Sequence, residues 1–415
     1  MTMGPITLFD KSFLHSLSLN EAVWFDCFTL AVISPIFYIE TCSDLKKEDL
    51  TDEQAKHLVS ILAAKAPQIS GAPNVYHRDL CIANLIGNEV EMSGRVSVRG
   101  GKAVSDGNSS GYVFESFPEL LAFERWKEGQ FEEIEKVVAT NWRGSVTDLT
   151  MASVEGCLNN LEIDLSSCRT LDSAYRMAHD VVSDKAKAYK LIIFLIKILN
   201  LNDFILVQEI QATLLGNAKT GRPAIGEYAL FYAKLKLFYF IAVKKGFMSL
   251  THRADILYLA YLPFCHVFVS TDRSHKMSVK YFLRSDQLFI DGADLKKDLA
   301  KLDQYYKTEI SEEAKLKGIM SFASFPPKKG EFLITKIWDK VIGKKWRNGD
   351  PSPMTSEKER ELVEEIEKKT NFQAVPEEAI DFDIDTANFV TLKRSVSIKR
   401  GDWYQLPHDI NKKQS

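Results

Sequence analysis

Four acidic residues occupy positions from which carboxylates could converge on one site. Asp10 directly follows the apolar segment ITLF, and Asp272 follows HVFVS and one threonine. Glu40 lies one turn into a predicted helix, and Asp255 lies near the start of a predicted helix that precedes HVFVS. Several carboxylates can bind one or two Mg²⁺ or Mn²⁺ ions, which activate water and neutralise an anionic transition state. This chemistry suits hydrolysis of a phosphodiester.

Strands and helices alternate around these acids. Residues 6–10 and 30–34 favour short buried strands, and each is followed by a segment with helical spacing of apolar residues. Residues 266–270 favour a third strand, with helices predicted over 254–261 and 274–283. This order indicates an α/β domain with a parallel sheet. Because sites in such sheets lie at the carboxyl ends of the strands, we expect all four acids at one edge.

Each acid also has an ordinary structural interpretation. Asp10 and Asp272 are suited to capping the N-termini of the helices that follow them. Asp255 is favoured near a helix start by the helix dipole, and Glu40 alone could be a solvated helix residue. The order and local context of all four together favour a shared site.

The arrangement resembles the PIN-domain nucleases. Their pattern begins with a strand that ends in Asp and is followed by a small polar residue, and continues with a Glu in an early helix. An Asp then opens a late helix, and the next strand ends in Thr/Ser-x-Asp. The corresponding segments are LFDKS with Asp10 and Ser12, PIFYIETCSDL with Glu40, HRADILYLAYLPF with Asp255, and HVFVSTD with Ser270 and Asp272.

The resemblance implies a PIN-like parallel sheet flanked by helices and a Mg²⁺- or Mn²⁺-dependent endonuclease whose partner is nucleic acid, with RNA favoured over DNA. It implies that metal binding and catalysis fall to Asp10, Glu40, Asp255 and Asp272, supported by Ser12, Asp44 and Ser270. The sequence departs from the family pattern at Lys11, where Thr or Ser is usual.

The rest of the chain divides into an insertion and an extension. Residues 1–50 and 250–300 form the expected discontinuous catalytic core, and residues 51–249 form the insertion. The insertion is predicted to hold a hairpin and loop within 93–111 and helices over 52–65, 117–139, 171–199, 203–215 and 225–245. The extension, residues 301–415, is expected to be a small α+β region, with a charged helix over 356–369 and a strand over 390–398.

Composition constrains the setting of this activity. The chain has 415 residues, a net charge of −3 and 45% hydrophobic residues, which predicts a packed core and no overall attraction to polyanions. Its six cysteines show no ligand or disulfide spacing. No apolar run reaches the ~20 residues of a membrane span. We therefore expect a cytoplasmic protein with no membrane partner.

Other motifs leave alternatives open. HRDL (77–80) with Asn84 matches a kinase catalytic loop, but the glycine-rich loop and DFG motif of kinases are missing, so a polar loop leading into a buried helix is favoured. The segment GNAKTGRP (216–223) predicts a solvated loop or, alternatively, a phosphate-contacting one. Basic clusters at 328–329, 344–347, 393–394 and 399–400 could bind phosphates or be solvated surface. His275 could reach the site or face solvent.

A second class of function competes with the nuclease. A non-catalytic interaction or scaffold protein could use a degenerate PIN-like platform, with the large insertion binding a partner. Lys11 beside Asp10 and the length of the insertion favour this interpretation.

Overall fold

The structure is a computed structural model that describes residues 4–147, 149–221, 225–348, 364–365, 368, 372–376, 379–380, 382 and 386–410. It is an α/β protein whose central feature is a five-stranded parallel sheet flanked by helices, as the alternation of apolar segments predicts. Among the described helices, none combines the length and apolar character needed to cross a membrane.

The strands of the described residues belong to three sheets. They are β1 (Ile6–Phe9), β2 (Leu30–Ile33), β3 (Ala72–Pro73), β4 (Lys102–Ser105), β5 (Ser110–Phe114), β6 (Val267–Ser270), β7 (Leu288–Asp291), β8 (Gln373–Ala374), β9 (Phe389–Leu392), β10 (Lys399–Arg400) and β11 (Trp403–Tyr404). The central sheet has the order β3-β2-β1-β6-β7, and every neighbouring pair in it is parallel. A four-stranded sheet has the order β8-β4-β5-β9, and β10 pairs with β11.

The described α-helices surround these sheets. They are α1 (Lys11–Ser16), α2 (Leu19–Phe28), α3 (Pro35–Ser43), α4 (Asp52–Lys65), α5 (His77–Leu85), α6 (Pro118–Lys127), α7 (Glu133–Thr147), α8 (Met151–Asn160), α9 (Leu171–Ser183), α10 (Ala188–Ile198), α11 (Phe204–Thr220), α12 (Glu227–Lys244), α13 (Arg253–Tyr258), α14 (Arg273–Ser278), α15 (Gly292–Glu309), α16 (Glu312–Lys315) and α17 (Leu333–Val341).

The sheet order creates a crevice beside β1. From β1 the chain moves outward to β2 and β3, whereas β6 and β7 lie on the other side of β1. At such a point the connections leave the sheet in opposite directions, which opens a crevice at the carboxyl ends of the strands. Asp10 follows β1 and Asp272 closely follows β6, so both lie at this edge.

Short polar caps fix the directions of the helices that leave the sheet. The side chain of Asp10 caps α1, that of Ser34 caps α3, and that of Asp272 caps α14. Pro35 occupies the first turn of α3, where its missing N–H costs nothing. The capping interpretation of both aspartates is therefore correct, and it is compatible with their location at the crevice.

Two long predicted helices are interrupted. The helix expected over 117–139 is divided into α6 and α7, because Gly129 adopts a φ of 73° that is accessible mainly to glycine. The helix expected over 171–199 ends at Ser183, after which the side chain of Asp184 accepts a hydrogen bond from the amide of Ala186 and caps a new turn.

Other boundaries also differ from expectation. The loop predicted over 216–223 is wrong for its first half, since α11 continues to Thr220, while 222–224 lie outside the described residues. The helix predicted over 274–283 ends at Ser278. The strand predicted over 390–398 is correct only at its start, since β9 covers Phe389–Leu392 and 393–398 form no strand. Most of the charged helix predicted over 356–369 lies outside the described residues. Strands β3 and β7 were not predicted.

The C-terminal region packs on the core. The indole N–H groups of Trp24 and Trp403 donate to Oδ1 of Asp303 at 3.1 and 2.7 Å. Arg400 forms a buried ion pair with Asp26, at 3.2 Å between Nη2 and Oδ2. These contacts join the hairpin β10–β11 to helices α2 and α15.

Candidate active site

Asp10 is the most extensively hydrogen-bonded acid in the crevice. It is 3% exposed, and its Oδ1 accepts a hydrogen bond from the amide of Phe13 at 2.8 Å. Its Oδ2 accepts from the hydroxyls of Ser12 at 2.8 Å and Ser270 at 2.5 Å. Nδ1 of His275 lies 3.2 Å from the same oxygen. The carboxylate is therefore fixed in one orientation by groups from the N-terminal segment and from the segment that ends β6 and begins α14.

His275 is held between a carboxylate and a carbonyl. Its Nδ1 faces Oδ2 of Asp10 and Oγ of Ser270, and its Nε2 lies 2.7 Å from the carbonyl oxygen of Asp255. A carbonyl can only accept, so Nε2 carries a proton, and the Asp10 carboxylate favours a second proton on Nδ1. Burial works to lower the pKa of His275, but Asp10 and Asp255 outweigh it and the pKa is raised.

Glu40 reaches the crevice from the last part of α3. The hydroxyl of Tyr258 donates to its Oε2 at 2.6 Å. Burial raises the pKa of Glu40; the Tyr258 hydrogen bond and Lys11 oppose this shift, and the charges of Asp255 and Asp10 add to it. The mutual influence of these carboxyl groups indicates that they share one electrostatic environment.

Asp255 and Asp272 are joined through Ser274. The hydroxyl of Ser274 donates to Oδ2 of Asp255 at 2.9 Å, and its amide donates to Oδ1 of Asp272 at 2.6 Å. Burial raises the pKa of Asp255, with a further contribution from the charge of Asp272. Burial also acts to raise the pKa of Asp272, but the Ser274 hydrogen bonds and nearby histidines lower it on balance. The two neighbouring acids therefore differ in proton affinity.

Lys11 places a positive charge among the acids. Its Nζ lies 2.5 Å from Oδ2 of Asp44 and donates to the backbone carbonyl of Glu40 at 3.1 Å. Asp44 is 6% exposed, and Arg143 lies 4.0 Å from its other oxygen. The side chain of Asp44 is therefore engaged by cations of this chain.

These groups line a single cavity of about 610 Å³. Six of the seven residues singled out from the sequence contribute to its surface, namely Asp10, Ser12, Glu40, Asp44, Asp255 and Asp272. The seventh, Ser270, is fully buried and supports Asp10. Ser12 also contacts the Thr271 hydroxyl at 2.7 Å. The four acids that we expected at one edge of the sheet therefore line the same cavity.

Some residues of the cavity were not expected from the sequence. Tyr258 follows Asp255 at the end of α13, and an apolar, helical context gave no sign that its hydroxyl faces an acid. Helix α4 forms another wall, although the segment was predicted only as part of the insertion. The sequence allowed His275 to face either solvent or the site, and the structure shows its ring against Asp10 in the cavity.

The donor set suits hard cations, although it is not assembled as a ligand cage. Carboxylate oxygens are what Mg²⁺ and Mn²⁺ prefer. Among the described residues, however, no group of three or more His, Cys, Asp or Glu side chains is arranged to hold a metal ion. This arrangement does not supply a complete set of protein ligands, and Mg²⁺ commonly uses one or two carboxylates with water at its other positions.

Residues of the other sequence motifs make contacts that stabilise the fold. His77 begins α5 and is buried, with its ring 3.0 Å from the Tyr261 hydroxyl, and burial lowers its pKa to about 3. The expected polar loop is therefore a helix start. Within the basic clusters, Arg400 is buried against Asp26, and Arg347 forms an ion pair with Asp339 at 2.8 Å. These two arginines serve the fold.

Comparisons with family models, with curated proteins and with solved structures returned no match for this chain.

Proposed function

We propose that this protein is a metal-dependent endonuclease with a PIN-like core, acting on nucleic acid in the cytoplasm. One observation carries the proposal: Asp10, Glu40, Asp255 and Asp272, from distant parts of the chain, line one cavity at the carboxyl edge of the parallel sheet. So much negative charge in one place is costly unless a cation compensates it. RNA is favoured over DNA by the resemblance to PIN-domain nucleases alone.

The four carboxylates are the groups that would hold Mg²⁺ or Mn²⁺. When bound, such a cation supplies an activated water and neutralises charge on the phosphate. Within the chain, Ser12, Ser270 and His275 orient Asp10, and Tyr258 orients Glu40. Burial raises the pKa values of Glu40 and Asp255, so both bind protons more readily than ordinary carboxyl groups in the cation-free protein. Cation binding should therefore release protons and strengthen as the pH rises.

A cleavage assay tests this proposal. Purified protein is incubated with labelled single-stranded RNA and Mn²⁺, and wild type is compared with Asp10→Asn and Asp272→Asn. We expect cleavage by the wild type that EDTA abolishes, and a loss of about 100-fold or more in each variant. The exposed Asp294→Asn is the matched control and should cleave normally. Equal activity in all proteins, or none in any of them on RNA and DNA, would contradict the proposal.

The contact between Lys11 and Asp44 favours a second candidate, a non-catalytic interaction protein on a degenerate PIN-like platform. In that case Lys11 and His275 are permanent counterions, and the carboxylates need no metal. Calorimetric titration with Mn²⁺ separates the two functions. A nuclease should show a binding site that Asp10→Asn abolishes, whereas the interaction protein should show none.

A further inference from the structure

Helix α4 packs one apolar face on the core and presents a second, mixed face to the acidic cavity. Its residues Ala55, Val59, Leu62 and Ala63 are buried against the core. A second face, consisting of Gln54, His57, Leu58 and Ile61, lines the acidic cavity together with Leu50. Ile61 is 38% exposed. Apolar side chains that line a cavity without filling it are typical of a ligand-binding surface.

Two lysines and a histidine border the same part of the cavity. Lys47 and His15 contribute to its lining, and Lys65 donates from Nζ to the backbone carbonyl of His15 at 2.8 Å. Burial, then the charges of Lys65 and Lys11, lower the pKa of His15, so the positive charge of this border comes from the lysines and His15 is favoured as a neutral hydrogen-bonding imidazole. The cavity therefore combines an acidic end, a basic border and an apolar wall.

This combination matches one nucleotide unit. A nucleobase offers a flat, largely apolar face, and the backbone phosphate offers an anion that lysine and histidine bind. A volume of about 610 Å³ lies within the ~300–1,000 Å³ range of small-molecule sites. Binding a phosphate alone would not require Leu58 and Ile61, and an aliphatic ligand would not require the basic border.

We propose that the cavity-facing side of α4 is the subsite for one nucleotide of a single-stranded nucleic acid. The base contacts Leu58 and Ile61 beside His57, and the phosphate lies beside Lys47 and His15. This subsite rests on the proposed nuclease function for its position next to the acids. It predicts binding that does not depend on the metal.

Calorimetric titration in EDTA tests the subsite with three probes: AMP, adenosine and inorganic phosphate. We expect the double variant Leu58→Ala/Ile61→Ala to weaken AMP and adenosine about tenfold and to leave phosphate unchanged. Lys47→Ala should weaken AMP and phosphate but not adenosine. The controls are Ile193→Ala and Lys46→Ala, which change exposed residues outside the cavity. Both variants should bind all three probes like the wild type.

Two further measurements complete the test. Ile61→Leu keeps an apolar side chain and should retain AMP binding, which separates loss of contact from loss of folding. An unlabelled single-stranded RNA should displace AMP from the wild type. Failure of AMP to bind the wild type, or equal binding by all variants, would overturn the subsite. If the wild type binds AMP in EDTA but does not cleave RNA with Mn²⁺, the nuclease proposal fails while the subsite stands, so the two failures are distinguishable.

Discussion

The hydroxyl of Ser270 donates a 2.5 Å hydrogen bond to Oδ2 of Asp10, although 260 positions separate the two residues. Ser270 ends β6 and Asp10 follows β1, and the two strands are parallel neighbours. This hydrogen bond therefore joins the first and last parts of the proposed catalytic core at Asp10, the central residue of the site. The Ser270 hydroxyl also accepts from the amide of Asp272 at 2.9 Å, which connects the two aspartates through one group.

Removing Lys11 should strengthen cation binding. Its ammonium group lies in the acidic cavity against Asp44, where it would repel a bound metal ion. Lys11→Met should tighten Mn²⁺ binding about tenfold in a calorimetric titration. Lys46→Met, an exposed lysine outside the cavity lining, is the control and should leave the affinity unchanged. Weaker binding in Lys11→Met would show that the lysine supports the site instead of competing for it.

His275 should make stability depend on pH. Because its pKa is raised in the folded protein, the folded state binds this proton more tightly than the unfolded chain does. The resulting stabilisation is complete below the unfolded pKa of about 6.5 and is lost as the pH rises through the raised folded value. Urea unfolding of wild type and His275→Gln in EDTA, between about pH 5.5 and 8.5, measures this contribution.

The difference in free energy of unfolding between these two proteins should be largest at the acidic end and should shrink as the pH rises. The exposed His57→Gln provides the control. A difference that is constant across the range, or that grows with pH, would show that His275 is not held as an imidazolium by Asp10.

The buried ion pair of Asp26 should be a major determinant of stability. Asp26 is fully buried and accepts hydrogen bonds of 2.8 to 3.1 Å from the amides of Gln68, Ile69 and Ser70 as well as pairing with Arg400. Asp26→Ala would leave Arg400 charged and unpaired, at a cost of about 3–5 kcal/mol in urea unfolding.

A double variant checks the cause of that loss. Asp26→Ala/Arg400→Met should be less destabilised than Asp26→Ala, because the unpaired positive charge of Arg400 is also removed. Asp294→Ala, at the surface, should change the free energy of unfolding by no more than about 0.5 kcal/mol. If the double variant loses as much free energy of unfolding as Asp26→Ala and Arg400→Met lose together, the ion pair is not the source of the destabilisation.

The parallel sheet and the edge occupied by the acids were predictable because they depend on local patterns. Apolar segments such as 6–9 and 267–270 identify strands, and the polar residue after each strand must lie at its carboxyl end. Strand β3 was not predictable, since two residues, Ala72 and Pro73, carry no periodic signal. Strand β7 has a short LFID sequence that periodicity alone does not separate from a loop.

The remaining features of the site depend on tertiary placement. Asp52–Lys65 was predicted as a helix with the observed bounds, yet nothing in its spacing shows that one face lines a cavity shared with Asp255. Tyr258 belongs to an apolar segment in which a tyrosine is ordinarily a core residue. The pairing of Lys11 with Asp44 requires α1 and the end of α3 to be adjacent, which only the folded chain establishes.

The most direct test of the account is the rate of Mn²⁺-dependent RNA cleavage by Glu40→Gln. Glutamine can still accept the hydrogen bond from Tyr258, so the change removes the negative charge with little effect on packing. We predict a rate at least about 100-fold below that of the wild type, with an unchanged unfolding midpoint. Cleavage by a stably folded Glu40→Gln protein at the wild-type rate would contradict a catalytic role for this cluster of carboxylates.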